Sequence, residues 1–235
     1  MKKIFVNLVC LFIPVRKIRR RVRVQLTHPI IRKMTAFAKS FSTNTKPKIR
    51  YTYGFRFANF VVTVDDKWVF KFPLTGDARE ISIREKRITD ALRSVSPLKI
   101  PKMEILDWNG VSVRRYEYIH GIGFHKLSNA DQIAHADTIA KQLAKFLYVT
   151  GMVDPKEIRD LKSKKSDKPS IMHGWNQNDL WDNFLMDPKN FKITGVIDWE
   201  SANFNDFYVY FTSGTGNRVV KKALLREYLK IIRNK

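Results

Sequence analysis

Residues 173–200 read HGWNQNDLWDNFLMDPKNFKITGVIDWE, and this stretch decides how the whole chain is interpreted. It contains two short apolar runs, at 184–186 and 193–197, that could pair as a β-hairpin. Acidic and amide residues precede the first run and follow the second. Because the two open ends of a hairpin lie side by side, this placement suits the binding of a divalent metal ion together with its anionic ligand.

The sequence before this stretch predicts two hairpins with one helix between them. Runs rich in β-forming residues lie at 60–64 and 68–72, and a second pair lies at 102–107 and 111–119, each pair being separated by a short turn segment. Over residues 77–92 the apolar residues recur with helical period, and prolines close the segment. The predicted order is therefore strand, strand, helix, strand, strand.

Another helix is predicted to follow Gly123 and to end near Gly151. Its apolar residues recur at helical spacing, which indicates a single buried stripe. The residues of this stripe are Ile133, Ile139, Leu143, Phe146 and Leu147. The polar segment 156–169 is predicted to be a loop or a short helix between core elements.

Four features of the sequence occur in an order that resembles one known family. They are Lys71 in a predicted strand, Glu85 in the following helix, the segment from His173-Gly174 through Asp179 to Asn183, and Ile-Asp-Trp-Glu at 197–200. Together they resemble the small-molecule kinases built on the protein-kinase-like fold. This group includes the aminoglycoside phosphotransferases, the choline kinases and the lipopolysaccharide core sugar kinases. The resemblance covers roughly residues 50 to 211.

The resemblance implies an α+β fold of the two-lobed, protein-kinase-like kind. A basic amphipathic arm and linker would occupy residues 1–48, a small β-rich N-lobe residues 49–120, and a mainly helical C-lobe residues 121–235. It also implies an ATP-dependent kinase that uses Mg²⁺ and transfers a phosphoryl group to an alcohol.

The resemblance assigns a role to each matching residue. Asp179 is the implied catalytic residue, which would orient the acceptor hydroxyl and take its proton. Asn183 and Asp198 would hold magnesium through hard oxygen ligands. The implied ATP-binding residues are Lys71, Glu85, Glu117 and Ile119. Each of these side chains could instead be a surface, turn or packing residue.

The spacing around Asp179 departs from the pattern of the family. The metal-binding Asn usually follows the catalytic Asp by five residues, whereas Asn183 follows Asp179 by four. The family also usually has a His two residues before the Asp, where this chain has Gln177. Either the loop is one residue shorter, or the role of Asp179 belongs to Asn178 or Asp182.

Composition excludes several classes of protein. The apolar fraction is 44%, as in ordinary globular proteins, and no apolar run is long enough for a polytopic membrane protein. The single cysteine, Cys10, excludes a disulfide framework and a zinc site built from several thiolates.

The basic residues are concentrated towards the N-terminal end. The chain has 44 Lys and Arg against 22 Asp and Glu, a formal net charge of +22, yet no acidic residue precedes Asp65. Residues 1–64 hold fifteen of the basic residues, which leaves 29 against all 22 acidic residues in the remainder. Such asymmetry indicates a polyanionic partner, either an anionic membrane surface or a nucleic acid.

Residues 1–33 are predicted to lie on an anionic membrane surface. The apolar run 4–15 is too short to cross about 30 Å of hydrocarbon, and no small-residue cleavage site follows it. A helix after Pro14 would carry one apolar stripe and be basic elsewhere, which is typical of an interfacial helix. The alternatives are a basic face whose stripe packs on its own domain, and nucleic-acid binding, which this pattern favours least.

These observations predict an ATP-dependent kinase that phosphorylates a sugar hydroxyl of a surface glycan or glycolipid, in lipopolysaccharide core biosynthesis. The protein would be cytoplasmic and peripheral on the inner face of the cytoplasmic membrane. The predicted partners are ATP, a sugar or glycolipid acceptor, and the membrane surface. The alternatives are a soluble kinase of the aminoglycoside or choline type, a catalytically inactive kinase-like protein, and a nucleic-acid-binding protein.

Overall fold

A computed structural model describes residues 30–53, 58–74, 78–153, 173–176, 180–206, 209–212 and 216–234, together with Phe12, Pro14 and Val22. The chain divides into two compact units, Met1–Thr75 and Gly76–Lys235. The predicted interfacial arm lies almost wholly outside the described residues, as do Asp179 and the polar segment 156–169. None of the helices in the described ranges is long and apolar enough to span a bilayer.

The first unit contains a helix and three antiparallel strands. They are α1 (Ile31–Lys39), β1 (Ile49–Tyr53), β2 (Asn59–Val64) and β3 (Trp68–Pro73). Strand β2 pairs with β1 on one side and with β3 on the other. The hairpin predicted at 60–72 is therefore confirmed.

Two aspartates make the turn between β2 and β3. Asp65 and Asp66 have φ angles of 56° and 52°, and the Lys67 N–H donates to the Val64 carbonyl at 2.9 Å. A turn with two left-handed central residues matches the twist of the flanking strands, and Asp tolerates this conformation better than most residues. The Asp65 carboxylate accepts from the Lys48 N–H at 2.8 Å and from the Ser42 hydroxyl, which lower the pKa of Asp65, the Ser42 bond having the larger effect.

Helix α1 packs on the strands of this unit, although it lies inside the predicted 1–48 arm and linker. Its residues Ile31, Met34 and Ala38 are buried. The Phe37 ring contacts the rings of Phe70 and Phe72 edge-on, with centroid distances of 6.4 and 6.1 Å. One face of α1 is therefore part of the core of the first unit.

The second unit begins with a helix and a hairpin, followed by helices and short strands. Its elements are α2 (Ala78–Arg93), β4 (Glu104–Trp108), β5 (Val111–Glu117), β6 (Ile122–Gly123), a 3₁₀ turn (Phe124–Lys126), α3 (Asn129–Ala134), α4 (Ala136–Gly151), β7 (His173–Asn176), α5 (Leu180–Asn183), β8 (Phe184–Met186), β9 (Ile193–Val196), β10 (Asn203–Asp206), α6 (Val209–Thr212) and α7 (Arg218–Arg233). The predicted helix at 77–92 and the predicted hairpin at 102–119 are confirmed by α2 and by the antiparallel pairing of β4 with β5.

The core of the second unit lies between α4 and α7. Leu143 and Leu147 of α4 are buried against the same cluster as Leu224 and Tyr228 of α7. The prediction that Ile133 belongs to the α4 stripe is wrong, because Ile133 is 44% exposed. The Ser128 hydroxyl caps the separate helix α3, and the chain leaves helical geometry at His135, so the helical phase of Ile133 is not that of α4.

Strands β8 and β9 form the hairpin that the sequence predicts. Phe184 pairs with Val196, Leu185 with Gly195, and Met186 with Ile193. Strand β6 pairs with the other edge of β8. Strands β7 and β10 pair separately, which places Asp206 opposite His173.

Candidate active site

The β8–β9 hairpin brings together the two residues predicted to bind metal. Asn183 directly precedes β8, and Asp198 follows β9 after one residue. The Ile197 N–H donates to the Asn183 carbonyl at 3.0 Å, so the two segments run side by side at the open end of the hairpin. Both residues are half-buried. Their closeness, which the sequence pattern predicts, is present in the structure.

Asp198 adopts a conformation that non-glycine residues rarely take. Its φ angle is 65°. Most residues lose about 1–2 kcal/mol in the left-handed region and Asp loses less, so Asp198 keeps this conformation most readily where the surrounding structure also fixes the backbone. Here the flanking N–H groups are both fixed, because that of Ile197 donates to Asn183 and that of Trp199 donates to Glu85 Oε1 at 3.0 Å.

The Trp199 side chain anchors the same loop in the core. It is only 1% exposed. Its indole Nε1–H donates to the Val196 carbonyl at 3.1 Å, and its ring lies 6.2 Å from that of Phe146. The tryptophan therefore packs as a core residue, and its position beside Asp198 limits how far that loop can move.

Glu85 lies at the centre of a buried ion cluster beside this loop. Arg114 of β5 donates through Nη1 to Glu85 Oε2 and also, at 2.8 Å, to Glu200 Oε2. Burial alone would lower the pKa of Arg114, but the charges of Glu85 and Glu200 outweigh this effect, and the pKa is raised. Glu85 is thus a buried, ion-paired carboxylate.

Arg84, the neighbour of Glu85 in α2, holds the backbone of the same loop. Its guanidinium donates to the carbonyl of Glu200 at 2.8 Å, to the carbonyl of Ala202, and to Asn203 Oδ1 at 3.0 Å. Burial is the larger influence on this group and lowers the pKa of Arg84. Two consecutive residues of α2 therefore bind the loop at 199–203.

The residues predicted to meet the adenine lie at the end of β5 and just after it. Glu117 is the exposed last residue of β5, and Ile119 is half-buried two residues later. A methyl group at Gly195 would lie 2.7 Å from the Lys99 carbonyl oxygen and 3.0 Å from the Ile119 side chain. Only glycine allows this approach, so β9 lies directly against Ile119. The predicted adenine segment and the predicted metal-binding hairpin are neighbours.

Two predicted site residues, Lys71 and Asp179, are not among those that the hairpin and its neighbours bring together. Lys71 is buried in the middle of β3 in the first unit, so its predicted pairing with Glu85 stays a prediction. Asp179 is outside the described residues, between β7 and α5. Its role as the catalytic residue also stays a prediction.

The sequence motifs did not identify two residues that bind the loop after Asp198. Arg84 and Arg114 both bind the loop that follows Asp198, yet neither belongs to the resembling motifs. Arg114 carries one usable signal, since it is a basic residue in the middle of a predicted strand between Val113 and Tyr116. A charged residue in a buried strand requires a counter-ion, and nearby acidic residues are candidates.

The donor set at the hairpin is of the kind that magnesium uses. Among the described residues there is no group of three or more His, Cys, Asp and Glu that could hold a metal ion. A site built from one carboxylate and one amide oxygen nonetheless suits Mg²⁺, because this ion keeps several waters and takes further ligands from phosphates. Asn183 and Asp198 therefore fit a metal that arrives with a nucleotide.

The structure is similar to solved structures of antibiotic phosphotransferases. The GDP complex of wild-type aminoglycoside 2'-phosphotransferase-IIIa matches with a TM-score of 0.64 and 16% identity, over 84% of this chain and 82% of that chain. The ADP-bound aminoglycoside phosphotransferase APH(2'')-Ib matches with a TM-score of 0.62 and 18% identity, over 86% and 82%. Macrolide 2'-phosphotransferase MphH from Brachybacterium faecium, as apoenzyme, matches with a TM-score of 0.60 and 13% identity, over 86% and 83%.

The chain has the protein-kinase-like fold of these phosphotransferases. The predicted α+β fold class is therefore confirmed, and the resemblance noted in the sequence is matched by the structure. No protein-family model matches the chain, and no curated protein matches it significantly. At these identities the likeness establishes the fold, and the activity is a separate inference.

Proposed function

We propose that this protein is a phosphotransferase that moves the terminal phosphoryl group of ATP to a hydroxyl group of its acceptor. The observation that carries the proposal is the meeting of Asn183 and the strained Asp198 at the open end of one hairpin. The solved structures with this fold include nucleotide complexes of phosphotransferases, which supports the same chemistry here.

The chain's own residues would supply alignment and charge for the transfer. Asp179 would accept the proton of the acceptor hydroxyl while the hydroxyl oxygen bonds to the terminal phosphorus and the bond to the ADP oxygen breaks. Lys71 would bind the phosphates, and Glu85 would serve as its counter-charge, as the resemblance implies. Glu117 and Ile119 would border the adenine, and Ile119 lies against Gly195 of the hairpin.

Magnesium is the metal that this proposal requires. When bound with the nucleotide, it neutralises part of the triphosphate charge. Asp198 would contribute a carboxylate oxygen and Asn183 an amide oxygen. The backbone hydrogen bonds on both sides of Asp198 would keep its carboxylate oriented before the nucleotide arrives.

The test is magnesium-dependent nucleotide binding by Asp198→Asn. The affinity for a nonhydrolysable ATP analogue is measured by calorimetry with and without Mg²⁺, and the variant is expected to lose the gain that Mg²⁺ gives. Asp187→Asn is a matched control, because Asp187 lies at the closed end of the same hairpin and bonds to Lys189 and Asn190 there. If Asp198→Asn keeps the full magnesium dependence, the metal assignment and the phosphotransferase proposal lose their main support.

The first candidate acceptor is a small soluble molecule, because the solved structures with this fold include an aminoglycoside and a macrolide phosphotransferase. A second candidate is the sugar of a surface glycan or glycolipid, such as the lipopolysaccharide core. The observation that favours it is the basic N-terminal region, since residues 1–64 hold fifteen Lys and Arg and no acidic residue. A strongly basic protein attracts an anionic lipid surface and repels a polycationic aminoglycoside.

Labelled ATP distinguishes the two acceptors. The protein is incubated with Mg²⁺ and, in parallel, with aminoglycosides, a macrolide, choline, free sugars and a membrane glycolipid extract, and the labelled product is identified. Transfer to a soluble compound by a protein lacking residues 2–29 would support the soluble acceptor. This truncation leaves α1 intact, as it must, because α1 packs in the core of the first unit.

Vesicle binding tests the membrane half of the second candidate. The protein is expected to sediment with anionic vesicles much more than with neutral ones, since each basic residue near the surface contributes about 1 kcal/mol that salt weakens. Glutamine replaces the six clustered basic residues Arg16, Lys17, Arg19, Arg20, Arg21 and Arg23 in the matched variant. Equal binding of the protein to both kinds of vesicle would contradict the electrostatic attachment, and binding to RNA alone would favour the nucleic-acid alternative.

A further inference from the structure

Arg114 is the central cation of a buried cluster and, unlike its partners Glu85 and Glu200, belongs to none of the resembling motifs. Its side chain is 1% exposed, that of Glu85 is 2% exposed and that of Glu200 is 25% exposed. One nitrogen, Nη1, donates to both carboxylates. A single guanidinium therefore joins helix α2 to the residue that follows Asp198-Trp199.

The cluster reaches the backbone on the C-terminal side of Asp198. Glu85 uses Oε2 for Arg114 and Oε1 for the Trp199 N–H, at 3.0 Å. By holding one oxygen of Glu85, Arg114 helps to orient the carboxylate whose other oxygen accepts from the Trp199 N–H. The orientation of the peptide that follows Asp198 thus depends on a side chain from β5.

Stability alone is a weak reason for such a cluster. Buried ion pairs often contribute little net stability, because removing two charges from water offsets their attraction. A strained residue, however, requires surroundings that determine its backbone from several sides. Asp198, with its φ of 65°, is such a residue, and the two carboxylates bound by Arg114 are linked to the peptides that follow it.

We propose that Arg114 is a positioning residue that holds Asp198 in its metal-binding conformation by fixing Glu85 and Glu200. This inference rests on the proposed function, since it concerns the same metal site. Arg114 itself does not contact the reacting atoms in this mechanism. Its effect is transmitted through the Glu85–Trp199 hydrogen bond and through the side chain of Glu200.

The experiment measures the Mg²⁺ concentration that gives half-maximal binding of a nonhydrolysable ATP analogue, together with kcat and KM for ATP. The variants are Arg114→Lys, which keeps the charge but lacks the planar guanidinium, and Glu200→Gln, which removes one charge at a partly exposed position. Mutating a residue that orients a metal ligand typically lowers the metal affinity by about 10–100-fold. We therefore expect Arg114→Lys to raise the half-maximal Mg²⁺ concentration by about tenfold or more.

A matched control comes from the neighbouring residue of the same strand. Arg115 of β5 forms an ion pair with Glu104 of β4. Arg115→Lys changes the same kind of group and is expected to leave the half-maximal Mg²⁺ concentration unchanged. The melting temperature of every variant is measured, and nucleotide binding is measured below it. This separates a loss of folded protein from a change in Mg²⁺ dependence.

The outcomes separate this inference from the proposed function. If the unchanged protein shows no Mg²⁺-dependent nucleotide binding, the proposed function fails. If it does bind, and both Arg114→Lys and Glu200→Gln keep its half-maximal Mg²⁺ concentration, Arg114 is only structural and the inference is overturned. If Arg114→Lys does not fold, Glu200→Gln decides alone, and an unchanged value in that variant also overturns the inference.

Discussion

Replacing Asp198 with glycine or with alanine is expected to affect nucleotide binding equally but to affect the stability of the protein differently. Asp198→Gly and Asp198→Ala both remove the carboxylate, so both should lose magnesium-dependent nucleotide binding. They differ in how they accept the φ of 65° at this position, because glycine adopts left-handed backbone freely and alanine does not. The glycine variant should therefore be the more stable of two equally inactive proteins.

The size of the difference follows from two opposing effects. Alanine in the left-handed region costs about 1–2 kcal/mol, which glycine avoids. Glycine loses about 0.4–1 kcal/mol through the greater freedom of the unfolded chain. Taking the middle of each range, the net advantage of glycine in the free energy of unfolding is about 0.8 kcal/mol. For a chain of 235 residues this corresponds to a melting temperature higher by roughly 1–4 °C.

The assay combines thermal melting without Mg²⁺ and calorimetric nucleotide binding with it. Asn109 provides the control, because its φ is 53° and it lies in the turn between β4 and β5. Asn109→Gly should likewise melt at a higher temperature than Asn109→Ala, yet both should bind nucleotide as the unchanged protein does. The control thus repeats the backbone effect without the carboxylate effect.

Two results would refute this reasoning. If the two Asp198 variants melt at the same temperature while the two Asn109 variants differ, the surroundings do not hold residue 198 in the left-handed region. If Asp198→Gly retains the magnesium-dependent affinity of the unchanged protein, its carboxylate is not a metal ligand.

Three further predictions concern other parts of the molecule. Asp179→Asn should reduce kcat by roughly a hundredfold or more with little change in ATP affinity, because a positioned base is lost; a mild effect there and a severe one for Asn178→Ala would shift the catalytic position by one residue. Gly195→Ala should lower the free energy of unfolding by about 1–3 kcal/mol and weaken nucleotide binding, since its methyl group would approach the Lys99 carbonyl. Gly110→Ala, where nothing lies within 4 Å, should affect stability only, and equal nucleotide affinity of both glycine variants would argue against the Gly195 contact. Burial raises the pKa of Tyr228 to about 12, so the stability that its protonated hydroxyl contributes should be complete below pH 10 and be lost between pH 10 and 12, by an amount on the order of 2 kcal/mol. In alkaline urea denaturation, Tyr228→Phe should therefore lose less stability over that interval than the unchanged protein does. An identical loss in both proteins would contradict this prediction.

Local patterns in the sequence were enough to predict most of the elements around the site. Asp65-Asp66 and Asn109-Gly110 mark turns because few residues tolerate a left-handed backbone, and both pairs lie between runs of β-forming residues. The helical period predicts α2, and the two apolar runs at 184–186 and 193–197 predict the hairpin that brings Asn183 beside Asp198. These features depend on residues that are close in sequence, so a single chain is sufficient to find them.

The contacts that fix the loop after Asp198 join residues that are distant in sequence. Arg114 bonds to Glu85 across 29 positions and to Glu200 across 86, while Glu85 reaches the Trp199 N–H across 114. No period or turn signal specifies such pairs, because they form only when α2, β5 and the loop after β9 have packed together. The sequence alone identifies the residues that we propose to bind metal and nucleotide. Only the tertiary structure shows that Asp198 has a left-handed backbone and that buried charged side chains bind the loop after it, since burial and long-range pairing arise from packing.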